Sequence, residues 1–201
     1  MTVISNILYW ISTGLLVPVI VLLIFFFIRA VILIGAFFGQ YLSEKRTSAH
    51  LNDRICQLTA EKLPEFADSL PEKSDSVMTA YVRKIISGKD NSPKIDLLLA
   101  EYEIAADKNI ATSRMLTKMG PILGLMGTLI PMGPALVGLA SGDIASMAYN
   151  MQVAFATTVV GLVISAIGFL TQQMKERWAV SNLTMLEYLA DIVKQSAGSW
   201  K

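Results

Sequence analysis

The feature that most constrains this sequence is an apolar run from Ile7 to Leu42, in which Arg29 is the only charged side chain. A helix needs about 20 apolar residues to cross a hydrocarbon core of about 30 Å, so the run is long enough to form a membrane span. No basic region precedes it and no small-residue cleavage site follows it, so we interpret it as a retained anchor and not a secretory signal. Pro18 lies inside the run, where a membrane helix tolerates proline.

Two further apolar runs, Met115 to Ala140 and Ala145 to Leu170, are separated only by the short turn "SGD". We interpret them as a helical hairpin of two spans. Asp143 is predicted to cap the third span, because a carboxylate accepts hydrogen bonds from the free amides of a helix start. The composition of the 201 residues, 53% hydrophobic and 16% charged, also indicates a bilayer as the solvent.

Most charged residues lie between the first and second spans, from about residue 43 to residue 118. The positive-inside rule therefore predicts an outer N-terminus and hairpin turn, and a cytosolic polar segment and C-terminus. We divide the chain into a first transmembrane helix with its inner extension (1–42), a cytosolic helical segment (43–114), a transmembrane hairpin (115–171) and a cytosolic C-terminal helix (172–201). The predicted fold is an all-α membrane protein with three transmembrane helices and long cytosolic helical extensions.

The cytosolic parts are predicted to be helices and not a catalytic domain. The stretch "LNDRICQLTAEKL" is amphipathic, and "SVMTAYVRKII" is predicted to end at Gly88. Ser92 and Pro93 are typical of a helix start, and no helix breaker follows before Gly120. This helix is therefore predicted to continue directly into the second span, as the third span is predicted to continue into the C-terminal tail.

Few residues point to enzyme chemistry. Cys56 and His50 are each the only residue of their type, so the sequence offers no thiol pair or metal-ligand cluster. Gly88-Lys89 lacks the remaining residues of a phosphate-binding loop. A net charge of +1 gives no support to nucleic-acid binding. We therefore predict neither an enzyme nor a bound cofactor or metal.

Small residues recur along both helices of the predicted hairpin. They are Gly120, Gly124, Gly127 and Pro131 in the second span, and Gly161, Ser165 and Gly168 in the third. Lipid does not drive helices together through hydrophobicity, so close packing in a membrane relies on small residues that let two backbones approach. The pattern predicts either a closely packed hairpin or a tight contact between subunits.

The candidate polar lining of the hairpin consists of Thr128, Thr157 and Thr158. Such hydroxyls either bond back to their own helix carbonyls or line a polar path. Beyond Lys118 the two spans contain no Asp, Glu, His or Lys, and a hydroxyl cannot store a charge near neutral pH. If the chain conducts ions, a partner must supply the acid. Arg29 is predicted to lie at the cytosolic border of the first span, with its charged group reaching the interface.

The sequences "GPILGLMGTLIPMG" and "AFATTVVGLVISAIG" resemble the MotA/TolQ/ExbB proton-channel family, and the topology of the whole chain is similar to that of its members. The matching residues are Gly124, Leu125, Gly127 and Thr128 in the second span, and Thr157 or Thr158 with Gly161 in the third. Thr158 is the better match, because it precedes Gly161 by three residues. Two positions depart from the pattern. Val153 stands where ExbB-like and TolQ-like members have glutamate, and Pro131 stands where they usually have glycine.

The resemblance implies a ring of five copies around two helices of an ExbD/TolR/MotB-like single-span partner. An aspartate in the partner's span would carry the ion, either H⁺ or Na⁺. Ion entry would rotate ring and core in the inner membrane and deliver work to a transporter or an envelope process. A competing interpretation is a non-conducting membrane scaffold that docks a cytosolic or membrane partner.

Overall fold

The computed structural model describes residues 2–56, 77–88 and 92–198, and these residues form helices and no strand. The helices are α1 (Thr2–Gly14), α2 (Leu16–Cys56), α3 (Val77–Ser87), α4 (Ser92–Ala140) and α5 (Ile144–Gly198). Among these described residues, three segments are long and apolar enough to cross a membrane: Ile7–Leu42, Pro93–Ala140 and Ile144–Ser196. The prediction of an all-α fold with three candidate spans is confirmed.

The first span is interrupted near its beginning, where α1 ends at Gly14 and α2 begins at Leu16. The Leu15 amide still donates to the carbonyls of Ile11 and Ser12, each at 3.1 Å. The cause is Pro18, which has no amide hydrogen and whose ring would meet the carbonyl of the residue four positions earlier, Gly14. Helical bonds continue on both sides of the turn, from the Leu15 amide to Ile11 O and from the Val19 amide to Leu15 O. The predicted first span, Ile7–Leu42, is therefore retained with Pro18 inside it.

The other helix ends follow the predicted breakers. α3 ends at Ser87, and the Gly88 amide donates to the carbonyls of Lys84 and Ile85 at 3.0 and 3.1 Å. α4 begins at Ser92 and continues for 49 residues without interruption, as predicted. Of the predicted helix "LNDRICQLTAEKL", the residues up to Cys56 belong to α2, and those from 57 onward lie outside the described residues.

Packing divides the chain into two units, and the first comprises Met1–Gly35 and Ala111–Gln172. Its core is formed by one face each of α2, α4 and α5. The buried side chains are Val19, Leu23, Phe26 and Ala30 from α2, Leu116, Leu123 and Ile130 from α4, and Ile164 from α5. In α2 and α4, spacings of three, four and seven residues place them on one side of the helix, while many large apolar side chains on the other sides are exposed. This distribution fits helices that face lipid.

The second unit comprises Ala36–Ile110 and Gln173–Lys201 and has its own core. The core is built from Met78, Val82 and Ile85 of α3, Ile95, Leu98 and Tyr102 of α4, and Leu186, Leu189, Ala190 and Val193 of α5. Near the end of α5, Lys194 Nζ lies 2.6 Å from Asp96 Oδ1 of α4. One face of each of these three helices therefore packs against the other two.

Candidate functional site

The hairpin between α4 and α5 closes through a glycine at the end of α4. Gly142 has a φ of 77°, a left-handed conformation that glycine adopts without steric cost. The Gly142 amide donates to Leu139 O at 3.2 Å and the Asp143 amide to Gly138 O at 2.8 Å, the pattern of a Schellman C-cap. Asp143 Oδ1 then accepts from the Ser146 amide at 3.0 Å. The predicted turn and the predicted cap of the third span are both present.

The two helices approach so closely in the middle of the hairpin that their backbones touch. A methyl group added at Gly120 would lie 2.6 Å from Gly161 O, and one added at Gly161 would lie 2.8 Å from Gly124 Cα. At Gly124 the added carbon would make ordinary contacts of 3.5 Å or more. Of the two predicted uses of these small residues, the described contacts are those of a closely packed hairpin within one chain.

On either side of this contact, two more glycines lie directly against atoms of the opposite helix. A methyl group at Gly127 would lie 2.6 Å from Cβ and Oγ1 of Thr157. A methyl group at Gly168 would lie 2.6 Å from the Thr117 amide nitrogen and 2.9 Å from Ser113 O. We call this line of contacts, from Gly127 against Thr157 to Gly168 against Thr117, the hairpin seam.

One hydrogen bond crosses the hairpin seam and compensates for a proline. Pro121 has no amide hydrogen, so the carbonyl four residues earlier, that of Thr117, has no helical donor. Ser165 Oγ of α5 donates to this Thr117 carbonyl at 3.0 Å. Ser165 was predicted as a small packing residue, and the structure shows that its hydroxyl also satisfies a backbone group that would otherwise be left without a donor.

We expect Ser165→Ala to lower the free energy of unfolding by about 1 kcal/mol, because the Thr117 carbonyl loses its donor. In a Pro121→Ala background the helix regains that amide, so Ser165→Ala should cost less there. Unfolding in detergent, measured for all four members of the cycle, gives the coupling. Ser141→Ala is the matched control, since the Val137 carbonyl that its hydroxyl contacts also accepts the Ser141 amide at 3.0 Å. Equal costs in both backgrounds would contradict this account.

The three candidate channel threonines occupy different positions. Thr157 is buried at the hairpin seam, and its Oγ1 donates to Val153 O and Ala154 O at 3.0 and 2.9 Å. Thr128 and Thr158 are partly exposed. Their hydroxyls donate to Leu125 O at 2.8 Å and to Ala154 O at 3.0 Å. All three thus bond back to their own helix, and of the three only Thr128 and Thr158 are exposed enough to be reached by a molecule outside this hairpin.

The two remaining candidate residues are Pro131 and Arg29. Pro131 is buried, and α4 continues through it to Ala140. Arg29 lies on the exposed side of α2, beside the buried Ala30. A role of Arg29 at the cytosolic interface stays a prediction.

Sequence reasoning missed a group of buried polar side chains on the helices of the hairpin. Thr171 is buried, and its hydroxyl donates to Ile167 O at 2.8 Å. Ser113 is fully buried, and its Oγ has no hydrogen-bond partner within the described residues. The need of the Thr117 carbonyl for a donor was predictable from the sequence, because Pro121 lies four residues later and has no amide hydrogen. No feature of the sequence marks Ser113 as buried, since its burial depends on the close approach of Gly168 from the opposite helix.

A helical hairpin with backbone contact across a glycine seam, preceded by another apolar helix, fits a membrane protein with three candidate spans. Its residues 71–187 match the MotA/TolQ/ExbB proton channel family, and the chain belongs to that family. The matched range includes α3, all of α4, and α5 as far as Glu187. No curated protein matches the chain. The resemblance predicted from "GPILGLMGT" and "AFATTVVG" is thereby confirmed.

Proposed function

We propose that this chain is the ring-forming channel subunit of an ion-driven membrane motor. Five copies would surround two helices of a single-span partner of the ExbD, TolR or MotB type. The chain would lie in the inner membrane with its N-terminus outside and its C-terminus in the cytosol, following the distribution of its Lys and Arg residues. The ion would be H⁺ or Na⁺, and the work would be delivered to a transporter or an envelope process.

The observation that most supports this proposal is that the two spans of the hairpin contain threonine hydroxyls but no acidic side chain. Between Lys118 and Lys175 the only Asp, Glu, His, Lys or Arg is Asp143 in the turn, so the hairpin holds no ion carrier within the apolar spans. Thr128 and Thr158 are nevertheless partly exposed there. Each donates its single hydroxyl hydrogen to its own helix. Their lone pairs are thus suited to accept a hydrogen bond from a protonated carboxyl or a water on a partner helix, or to contact Na⁺.

Energy considerations agree with a carrier supplied from outside the chain. An isolated charge in the middle of a bilayer is expensive, so carriers in membranes are paired or sit in a polar environment. A ring of threonine oxygens around one partner aspartate would provide such an environment without adding a second charge. Each ion that crosses releases about 2.3 kcal/mol per 100 mV of membrane potential, and repeated steps could drive rotation.

The test is ion flux through the chain reconstituted in liposomes with its single-span partner. We expect proton or sodium flux from the complex under an imposed potential, and none from either chain alone. Replacement of the partner's membrane aspartate by asparagine should abolish the flux. The competing interpretation is a non-conducting scaffold, and it is supported by threonine hydroxyls that donate only within this chain and by glycine contacts that are intramolecular. It predicts no ion flux from the chain with or without a partner. Flux that survives loss of the partner aspartate would also contradict the proposal.

A further inference from the structure

Lys175 is a buried cation in the second packing unit, with only 8% of its surface exposed. Its ammonium donates to Oδ1 of Asn109 at 3.0 Å and to the backbone carbonyl of the same residue at 3.3 Å. Both acceptors are neutral, whereas a buried charge is usually paired with an opposite charge. Burial accordingly lowers the pKa of Lys175. Two of the three ammonium hydrogens are used by Asn109, and the third is left for another acceptor.

Beside Lys175 lies a cavity of about 450 Å³. Its walls come from α2, α3, α4 and α5 and include Gln40, Lys108, Asn109, Lys175 and Trp178. The volume lies in the range of about 300–1,000 Å³ that is typical of small-ligand sites. Among the described residues that line it, the charged ones are two lysines, and there is no carboxylate. The cavity is therefore positively charged and combines polar donors with an aromatic wall.

A neighbouring hollow of about 300 Å³ has the opposite charge. Its lining includes Glu103, Asp107 and Glu176, and none of its described lining residues is a lysine or arginine. The two hollows share Tyr102, Ala106, Ile110 and Ala179, so the charges are sorted onto different sides of the same helices. Of the two hollows, the lysine cavity is therefore the one whose charged lining residues attract an anion.

We propose that the lysine cavity binds a phosphate-bearing anion, with Lys175 and Lys108 donating to the phosphate oxygens. Lysine is a common phosphate-binding residue. A bound anion would replace the interactions with water that the Lys175 ammonium loses through burial. The ligand chemistry is common to a phospholipid headgroup and to free phosphate. This inference concerns ligand binding alone and does not depend on whether the complex conducts ions.

The position of the cavity along the helices fits the headgroup of an anionic lipid. Lys175 follows the end of the third apolar run, Leu170, by five residues, which is about 7.5 Å along a continuous helix. The polar layer on each side of the hydrocarbon core has a similar thickness. The Trp178 ring stacks on the Phe37 ring with 5.5 Å between the ring centroids, and its centroid lies 5.9 Å from that of the Tyr41 ring. Such aromatic clusters are typical of the membrane interface.

Trp178 provides a direct probe of binding. In the full-length chain with Trp10→Phe and Trp200→Phe, assembled with its partner in detergent, Trp178 fluorescence is titrated with short-chain phosphatidylglycerol, short-chain phosphatidylcholine and inorganic phosphate. We expect a saturable change with at least one of the two anions and none with the zwitterionic phosphatidylcholine. Saturation by phosphatidylglycerol alone assigns a lipid headgroup, and saturation by inorganic phosphate at similar affinity assigns a free anion.

Variants separate a bound phosphate from a nonspecific effect. Lys175→Gln should weaken binding by at least about tenfold, as expected for a lost charged hydrogen bond. Lys108 is exposed, so Lys108→Gln should leave the fold intact and still weaken binding severalfold. Lys194→Gln is the matched control, because Lys194 is on the same helix, pairs with Asp96 and lies outside the cavity. No saturable change with either anion, or unchanged affinity in both the Lys175 and Lys108 variants, overturns the proposal.

Discussion

Gly161→Ala is expected to lower the melting temperature of the detergent-solubilised protein by about 2–12 °C. The added methyl carbon would lie 2.6 Å from Gly120 O, 2.8 Å from Gly124 Cα and 3.0 Å from Gly124 N. These are backbone atoms, so no side-chain rotation can relieve the contact and the two helices must separate. Overpacking of this kind costs about 1–3 kcal/mol, which corresponds to this range of temperatures for a chain of this size.

Gly35→Ala is the matched control for this effect. It is the same substitution in α2 of the same packing unit, and a methyl group at Gly35 would have no neighbour within 4 Å. On helix propensity alone, replacing glycine by alanine in a helix is favourable by up to about 1 kcal/mol. We therefore expect Gly35→Ala to leave the melting temperature unchanged or higher. If Gly161→Ala melts no earlier than Gly35→Ala, the backbone contact at the hairpin seam is not as close as described.

The double variant Thr128→Val with Thr158→Val is expected to reduce ion flux through the reconstituted complex by about tenfold or more. Valine keeps the shape of threonine and removes the oxygen. Two lost hydrogen bonds to an ion carrier amount to about 1–3 kcal/mol or more, and each 1.4 kcal/mol is a factor of ten. Neither hydroxyl holds the two helices together, since each donates within its own helix. Assembly, measured by size-exclusion chromatography, should therefore persist.

Thr184→Val serves as the control, because the Thr184 hydroxyl also donates to its own helix, to Val180 O at 3.0 Å, and lies beyond the apolar run on α5. It should conduct like the unaltered chain. Thr157→Val should reduce flux less than Thr158→Val, since Thr157 is buried against Gly127. Full flux in the double variant would count against the threonine path, while a loss of flux shared by Thr184→Val would indicate a general defect.

The sequence predicted the local features of the hairpin well. Apolar length identified the spans, Gly88 and Ser92 marked helix ends, and "SGD" marked the turn that Gly142 and Asp143 form. Each of these depends on a few neighbouring residues, whose conformational preferences act within one turn of a helix. The turn at Leu15 within the first span is also a local effect, because Pro18 cannot donate to the Gly14 carbonyl.

The pairing of residues across helices is what the sequence left open. Thr157 and Thr158 are adjacent in the chain, and motif spacing favours Thr158 as the family match without saying which one faces the other helix. A rotation of about 100° per residue sends neighbouring side chains to different faces. The structure places Thr157 against Gly127 and leaves Thr158 partly exposed. The same holds for Lys175, which the sequence places only within the predicted C-terminal helix, whereas the structure shows it buried against Asn109.

By itself, then, the sequence determined that this chain is helical, that three of its segments can span a membrane, and that its spans hold hydroxyls but no acid. Helix period, apolar length and residue chemistry are local properties and can be read along the chain. Only the tertiary structure decided which glycines touch, that Ser165 supplies the donor lost at Pro121, and which threonine oxygens stay accessible. Those outcomes depend on the register and rotation of one helix against another, which contacts between residues distant in sequence establish.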